Sequence, residues 1–349
     1  MIKSMPLYWK ERTVLVTGGA SFIGSHLVDE LVRLGADVTV VDNLSSGKLE
    51  NLRFSRDKIR LIQLDLEYSN LRKLLPAFRG NSVVFHLAAT HGGRGYIDRH
   101  PADVCSNFSI DHHVLEASCN AGVEKVVFAS SACVYPPRLQ AQTGSDCLLR
   151  EEDSDLADLE HQFSADLEYG WAKLMGEMQL RAFIKQYGLR GCSLRFVTVY
   201  GPRENESHAV AALIYKAFQR ADPYVIWGTG DQDRDFTYVS DIVKGSVAAA
   251  ERIEDGTALN LGTGKRYRLI EVANRIFQLL NWRPKNVIFD TTMPTGVASR
   301  ALDIHRARRL LNWEPETSLD DGLARTIQWY AETHSYEGRV NNLLLTERS

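Results

Sequence analysis

Thr13-Val14-Leu15-Val16-Thr17-Gly18-Gly19-Ala20-Ser21-Phe22-Ile23-Gly24 is the stretch whose reading decides the fold. An apolar, β-branched run enters glycines, and apolar residues then recur at Ile23, Leu27, Leu31 and Leu34. That pattern is strand, tight turn and helix. The helix start offers free N–H groups and the positive end of its dipole, which suits a pyrophosphate. The next apolar run, Val38 to Val41, ends in Asp42, an acid able to bond a ribose diol and to disfavour a 2′-phosphate. The stretch therefore predicts a dinucleotide site for NAD rather than NADP. Ser21 stands where a third glycine is expected, and its hydroxyl could donate to the phosphates.

Outward from this turn, Ile59 to Leu64, Val83 to Ala89, Val126 to Ala129 and Cys192 to Phe196 read as further strands, and residues 103–121 and Leu167 onward as helices. The alternation predicts an α/β fold: a Rossmann-type doubly wound parallel sheet, with its site at the carboxyl ends of the strands. Residues 12–200 form the expected nucleotide domain. Residues 201–335 mostly form a smaller C-terminal α/β substrate lobe, with the chain crossing back to the first domain. The expected NAD contacts are Gly18, Ser21, Phe22, Ile23 and Gly24 in the turn; Asp42 and Asn43; Asp65 and Leu66; and Leu87, Ala88 and Ala89. Asp65 could equally cap the following helix. Thr90 to Tyr96, with three glycines, reads as a flexible loop that either contacts substrate, through Gly93 and Arg94, or merely connects. Residues 137–166 read as a long polar surface loop, the acids Glu151, Glu152 and Asp153 as a solvated face, and the tail after Trp329 as frayed.

Composition narrows the class. The 349 residues carry a net charge of −3, with 24% charged and 44% hydrophobic residues, so no basic footprint for nucleic acid is present. No apolar run reaches the roughly 20 residues of a membrane span, and residues 1–12 hold no apolar core of a signal peptide. Five cysteines without a CxxC pair fit free thiols in a reducing cytoplasm.

The chemistry is carried by Tyr169 and Lys173, which share one helical face. A cationic lysine lowers a tyrosine pKa towards use as a base, and Ser131, ending the preceding strand, can bond the same substrate oxygen. The set implies removal of an alcohol proton while hydride passes to nicotinamide. Cys133 and His208 add two groups able to move protons next to a ketone. Alternatively, Cys133 is a buried thiol, and His208 binds phosphate or caps a helix.

TGGASFIG (17–24), HLAA (86–89), SSACVYP (130–136), YGWAK (169–173), RFVTVYGPR (195–203), WGTGDQDRDFTYVSDIV (227–243) and NLGTG (260–264) together resemble the extended short-chain dehydrogenase/reductases, nucleotide-sugar branch. SSACVYP and GGRGYI (92–97) resemble GDP-mannose 3,5-epimerases. The Cys133/His208 pair resembles GDP-fucose synthases, whereas the epimerases carry Lys at the position of His208. The resemblance implies an NAD-dependent nucleoside-diphosphate-sugar epimerase, a GDP-sugar as substrate and a homodimer through the helices near 103–121 and 167–187. It places Arg234 and Arg300 at the sugar diphosphate; the other reading makes each a surface ion pair. Asn107 and Asp241 read as structural. The alternatives are a C4-epimerase, a 4,6-dehydratase or a non-catalytic NAD-binding protein.

Overall fold

The computed structural model describes residues 8–144, 146–155 and 164–334. Strands β1 (Thr13–Thr17), β2 (Asp37–Asp42), β3 (Ile59–Gln63), β4 (Val83–His86), β5 (Lys125–Ser131) and β6 (Arg190–Phe196) alternate with helices α1 (Phe22–Arg33), α2 (Leu71–Phe78), α3 (Arg94–Arg99), α4 (Pro101–Cys105), α5 (Asn107–Ala121) and α6 (Leu167–Tyr187). After β7 (Thr198–Tyr200) come α7 (Ala209–Phe218), β8 (Tyr224–Trp227), β9 (Asp233–Arg234), β10 (Phe236–Tyr238), α8 (Val239–Arg252) and β11 (Asp255–Leu261). The remainder holds β12 (Tyr267–Arg268), α9 (Leu269–Leu279), β13 (Val287–Asp290), β14 (Ser299–Arg300), α10 (His305–Leu311) and α11 (Leu319–Thr333).

Seven strands form one parallel sheet in the order β11-β6-β5-β4-β1-β2-β3. Strand order reverses between β1 and β4, and the crevice at that point is where doubly wound sheets bind ligands. The strands read as continuous apolar runs because both faces are covered: Val14 and Val16 pack into one core, Leu15 and Val84 into another. β11, from beyond residue 200, completes the sheet beside β6. The pieces it leaves behind, β8 with β13 and β9 with β12 and β14, make small sheets of their own.

Three expectations fail. The segment 137–155 is a surface loop only in part: residues 141–144 are exposed, but Gln140 and Leu149 are buried, and Leu149 bonds Ala301 and Asp303 through its backbone. Ser145 and residues 156–163 of that expected loop lie outside the described residues. Glu151 is not solvated. It is buried and accepts the backbone N–H of Asn260 at 2.9 Å, and burial raises its pKa; Glu152 alone of the three acids is exposed. The chain after Trp329 continues in α11, with Tyr330 and Ala331 buried; residues 335–349 lie outside the described residues. The polar composition of these segments hid a few apolar and hydrogen-bonded anchors, which decide burial where periodicity is absent.

Candidate active site

The turn after β1 is built for close approach. A Cβ on Gly24 would stand 2.1 Å from Gly18 O, and one on Gly18 would stand 2.8 Å from Ala88 N at the end of β4. Glycine lets the turn lie both on its own helix and on the neighbouring strand. Ser21, at the N-cap of α1, gives no side-chain cap to the helix, so the first N–H groups of α1 lack a capping side chain. Its hydroxyl donates to Gly18 O at 2.5 Å instead of pointing at a phosphate as expected, and its φ of −79° needs no glycine. Asp42 is buried, accepting Ala20 N at 2.9 Å and Leu44 N at 2.8 Å, and burial raises its pKa. Each of its oxygens keeps a lone pair for a diol. Asn43 donates to Asp65, which also accepts the N–H groups of Glu67 and Tyr68. Asp65 therefore caps a turn, while Asn70 caps α2. This cradle fits a dinucleotide: a glycine floor, uncapped helix N–H groups and a ribose-side carboxylate.

Beneath it, Thr17 Oγ1 accepts Ala88 N at 3.2 Å and pairs with His86 Nδ1 at 2.8 Å. Thr17 therefore donates to Nδ1, and His86 Nε2–H donates to Asp111 at 3.0 Å. Burial lowers the His86 pKa, in keeping with this neutral tautomer.

Tyr169 and Lys173 share α6, both buried. Lys173 Nζ lies 4.9 Å from the Phe128 ring centroid and 6.0 Å from that of Tyr169. The expected lowering of the Tyr169 pKa is not realised by the protein alone. Burial raises it, and charge on Cys133 and Asp111 adds to the rise; burial also lowers Lys173, against Asp111. Desolvation opposes both charged forms. α6 approaches the end of β5 closely, since a Cβ on Gly170 would stand 2.2 Å from Cys133 O. Ser131 Oγ accepts Cys133 N at 3.1 Å, which leaves its proton for a substrate oxygen.

Cys133 is half-buried, and Arg300 Nη1 donates to its sulfur at 3.2 Å. Arg300 also donates to Asp166 at 2.7 Å and to Gln140 at 2.5 Å. Asp166 in turn accepts Arg94 at 2.9 Å, and its N–H donates to Cys133 O at 2.8 Å. Arg300 is thus no surface ion pair. Burial works against its charge, and Cys133 and Asp166 outweigh burial. Asp166 follows the same logic: burial raises its carboxyl, and Arg300 and Arg94 pull it below the usual range. Arg234 donates to the carbonyls of Asp233, Thr295 and Val297, and burial lowers its pKa to about 10.

His208 begins α7 without capping it. Its Nδ1 lies 3.4 Å from Glu204 Oε1, and its ring meets the His91 ring edge-on at 5.3 Å. His91 in turn lies 5.2 Å from the Tyr169 ring. His91 keeps an exposed surface, and desolvation first, then His208 and Lys173, disfavour its protonated form. The glycine loop reaches this cluster: a Cβ on Gly93 would stand 2.6 Å from Ser207 O. Asn107 ties the loop to α5 by accepting Thr90 N and donating to Thr90 O. Asp241 accepts Thr317 N, as a structural residue would.

The sequence reading missed Asp166, His91, Glu204 and Gln140. The signal available was position: Asp166 precedes the YGWAK helix, His91 lies in the glycine loop just before Gly92 and Glu204 lies four before His208.

Residues 14–262 match the family described as the NAD dependent epimerase/dehydratase family. The chain belongs to this family. It is accordingly an NAD-dependent enzyme with a Rossmann-type fold. Over 333 residues it is 30% identical to the UDP-N-acetyl-alpha-D-glucosaminuronate decarboxylase of Bacillus cytotoxicus, covering 92% of this chain and 98% of that one. It is 31% identical to a putative UDP-glucose 4-epimerase of Methanocaldococcus jannaschii, covering 90% and 97%. The solved UDP-glucose 4-epimerase of Thermotoga maritima, with UDP-glucose, superposes with a TM-score of 0.82 at 30% identity, covering 92% of this chain and 99% of that one. A GDP-L-fucose synthase of Sinorhizobium fredii is 30% identical, over 97% of this chain and 99% of its own length. The GDP-mannose 3,5-epimerase of Arabidopsis thaliana is 28% identical, over 93% and 84%. No described helix is long and apolar enough to cross a membrane.

Proposed function

We propose that this enzyme epimerises a nucleoside-diphosphate hexose, GDP-linked by preference, at C3, C5 or both, through a 4-keto intermediate. The observation that carries the reading is the Arg300 guanidinium on the Cys133 sulfur, 3.2 Å away. A thiol that only filled space would need no cation. A sulfur that carries negative charge between proton transfers does.

Bound NAD, held by the turn after β1 and by Asp42, would supply the acceptor for the C4 hydride and give it back at the end of the turnover. Tyr169 takes the C4 hydroxyl proton, and Ser131 donates to the same oxygen. The C4 ketone acidifies the protons on C3 and C5. One of Cys133 and His208 removes such a proton and the other returns one to the opposite face. The likeness puts Arg234 and Arg300 near the sugar diphosphate, and Arg94 shares Asp166 with Arg300. The GDP preference rests on the likeness at the Cys133/His208 pair and on the GDP-L-fucose synthase match along 97% of the chain. Exposed Phe108 on α5 and Trp171 and Met178 on α6 support a homodimer through these helices.

Turnover of GDP-mannose in deuterium oxide tests the reading. Deuterium enters C3 or C5 of the product, and Cys133→Ala lowers that incorporation relative to NADH formation. The 4-epimerase relatives favour a second reading, a C4-epimerase acting on a UDP-hexose. An inverted C4 with no solvent deuterium in the ring would establish it and remove the first. Tyr169→Phe with unchanged turnover would reject both.

A further inference from the structure

Glu204 is a buried carboxylate with almost nothing to justify it. Its side chain is 2% exposed, Oε2 has no hydrogen-bond partner, and His208 Nδ1 at 3.4 Å from Oε1 is its only ion-pair partner among the described residues. The neighbouring cation, Arg203, is turned away to Asp29 on α1, at 2.7 Å. Burial raises the Glu204 pKa, and His208 opposes the rise. A carboxylate so placed costs stability unless it is paired. The pairing falls on the one histidine that the proposed chemistry uses.

The backbone holds the two residues in this relation. Arg203 has a φ of +70°, Glu204 N reaches Gly201 O at 3.4 Å, and His208 N donates to Asn205 O at 3.0 Å. Pro202 O bonds His26 on α1 at 2.9 Å. The turn that carries Glu204 and His208 is therefore fixed to the helix of the nucleotide turn. Of the other titratable groups, His91 meets the His208 ring, and Lys173 acts on His91.

We propose that Glu204 is the positioning residue of His208, its carboxylate facing the Nδ1–H as acceptor so that Nε2 is the nitrogen that exchanges protons with the sugar. This rests on the reading of His208 as a proton-transfer group. In the step, the Nε2 lone pair takes the proton from the carbon beside the C4 ketone, and the C–H electron pair moves into the enolate. Cys133 S–H then returns a proton to the other face, and the thiolate is left beside Arg300. In the reverse sense Cys133 removes the proton and His208 returns it. In either sense the carboxylate of Glu204 holds the imidazole in one tautomer and faces the charge that forms on it.

The test uses the full chain labelled with 15N-histidine, with the His208 signals identified by their loss in His208→Asn. The expected result is an Nδ1–H tautomer in the wild type that shifts to Nε2–H in Glu204→Gln, an isosteric change that keeps any neutral structural role. With GDP-mannose as probe, deuterium exchange at C3 and C5 falls at least about tenfold relative to NADH formation, part of the ~10²–10⁴ a positioned acid or base contributes. Glu204→Asp, which keeps the charge, restores part of it. An Nε2–H tautomer in the wild type, or unchanged tautomer and exchange in Glu204→Gln, overturns the proposal. Exchange that survives His208→Asn while the tautomer still responds to Glu204 would instead sink the proton-transfer role of His208 and leave the pair standing.

Discussion

Replacing Arg195 by Met should unfasten α6 from the sheet. Arg195 on β6 meets Glu177 on α6 through two parallel bonds, Nε to Oε1 at 2.9 Å and Nη2 to Oε2 at 2.8 Å, with both side chains at most 6% exposed. Nη1 also donates to Tyr135 Oη at 3.1 Å and to Glu151 O at 3.0 Å, and Nη2 to Ser154 O at 3.0 Å. The arginine is thus held charged against its burial, mainly by Glu177. Met fills most of the volume but strands a buried carboxylate, left with the Ser130 hydroxyl at 2.5 Å, and two carbonyls. Breaking a buried pair costs about 3–5 kcal/mol, and each orphaned carbonyl adds up to ~1–3 kcal/mol. With partial relaxation, the total should be about 4–6 kcal/mol. At roughly 2 °C per kcal/mol for a chain this long, the midpoint should fall about 10 °C. The assay is a double-mutant cycle by chemical denaturation with Glu177→Leu and the pair together. Because two well-packed apolar residues replace a buried ion pair at little cost, the double variant should recover at least ~2 kcal/mol over the sum of the singles. A single-variant loss under about 1 kcal/mol, or an additive cycle, would refute the reasoning.

Two further expectations concern the nucleotide turn and its helix. Gly24→Ala, whose Cβ would stand 2.1 Å from Gly18 O, should push α1 off the turn and weaken NAD binding by more than tenfold in a fluorescence titration, whereas Ser21→Gly should leave it within about twofold. A reversed ranking would sink the account of the turn. His26 has its pKa lowered to about 4 by burial, then by Arg203, against the Pro202 carbonyl and Asp29. The fold therefore favours the neutral ring. That stabilisation is complete above the ordinary value of 6.5 and is lost as pH falls from 6.5 towards 4, where the folded state also takes the proton. Discounted for partial exposure, it is about 1–3 kcal/mol. Thermal midpoints from pH 7 to 4 should therefore fall less in His26→Gln than in the wild type, and equal slopes would reject the assignment.

The strand, turn and helix expected over residues 13–34 form as β1 and α1 because their information is local. β1, the glycines and α1 are neighbours in sequence, and their periodicities and φ requirements follow from adjacent residues. Tyr169 and Lys173 were legible for the same reason, four apart on one helix. What escaped was how burial acts on them. The rise of the Tyr169 pKa depends on Asp111 and Cys133 and on the packing around the phenol, none of which helix spacing encodes.

The polar segment 137–166 misled because composition averages over residues, while burial is decided singly. Leu149 and Glu151 are anchored by residues 301–303 and by Asn260, far along the chain. The sequence by itself determined the kind of fold, the NAD turn and the residue types that could do proton chemistry. The tertiary structure alone decided which of them lie together. Arg300 reaches Cys133 across 167 residues, and Asp166 joins Arg300 to Arg94. A charge is tuned by what lies within a few ångströms of it, and only the folded chain sets those neighbours.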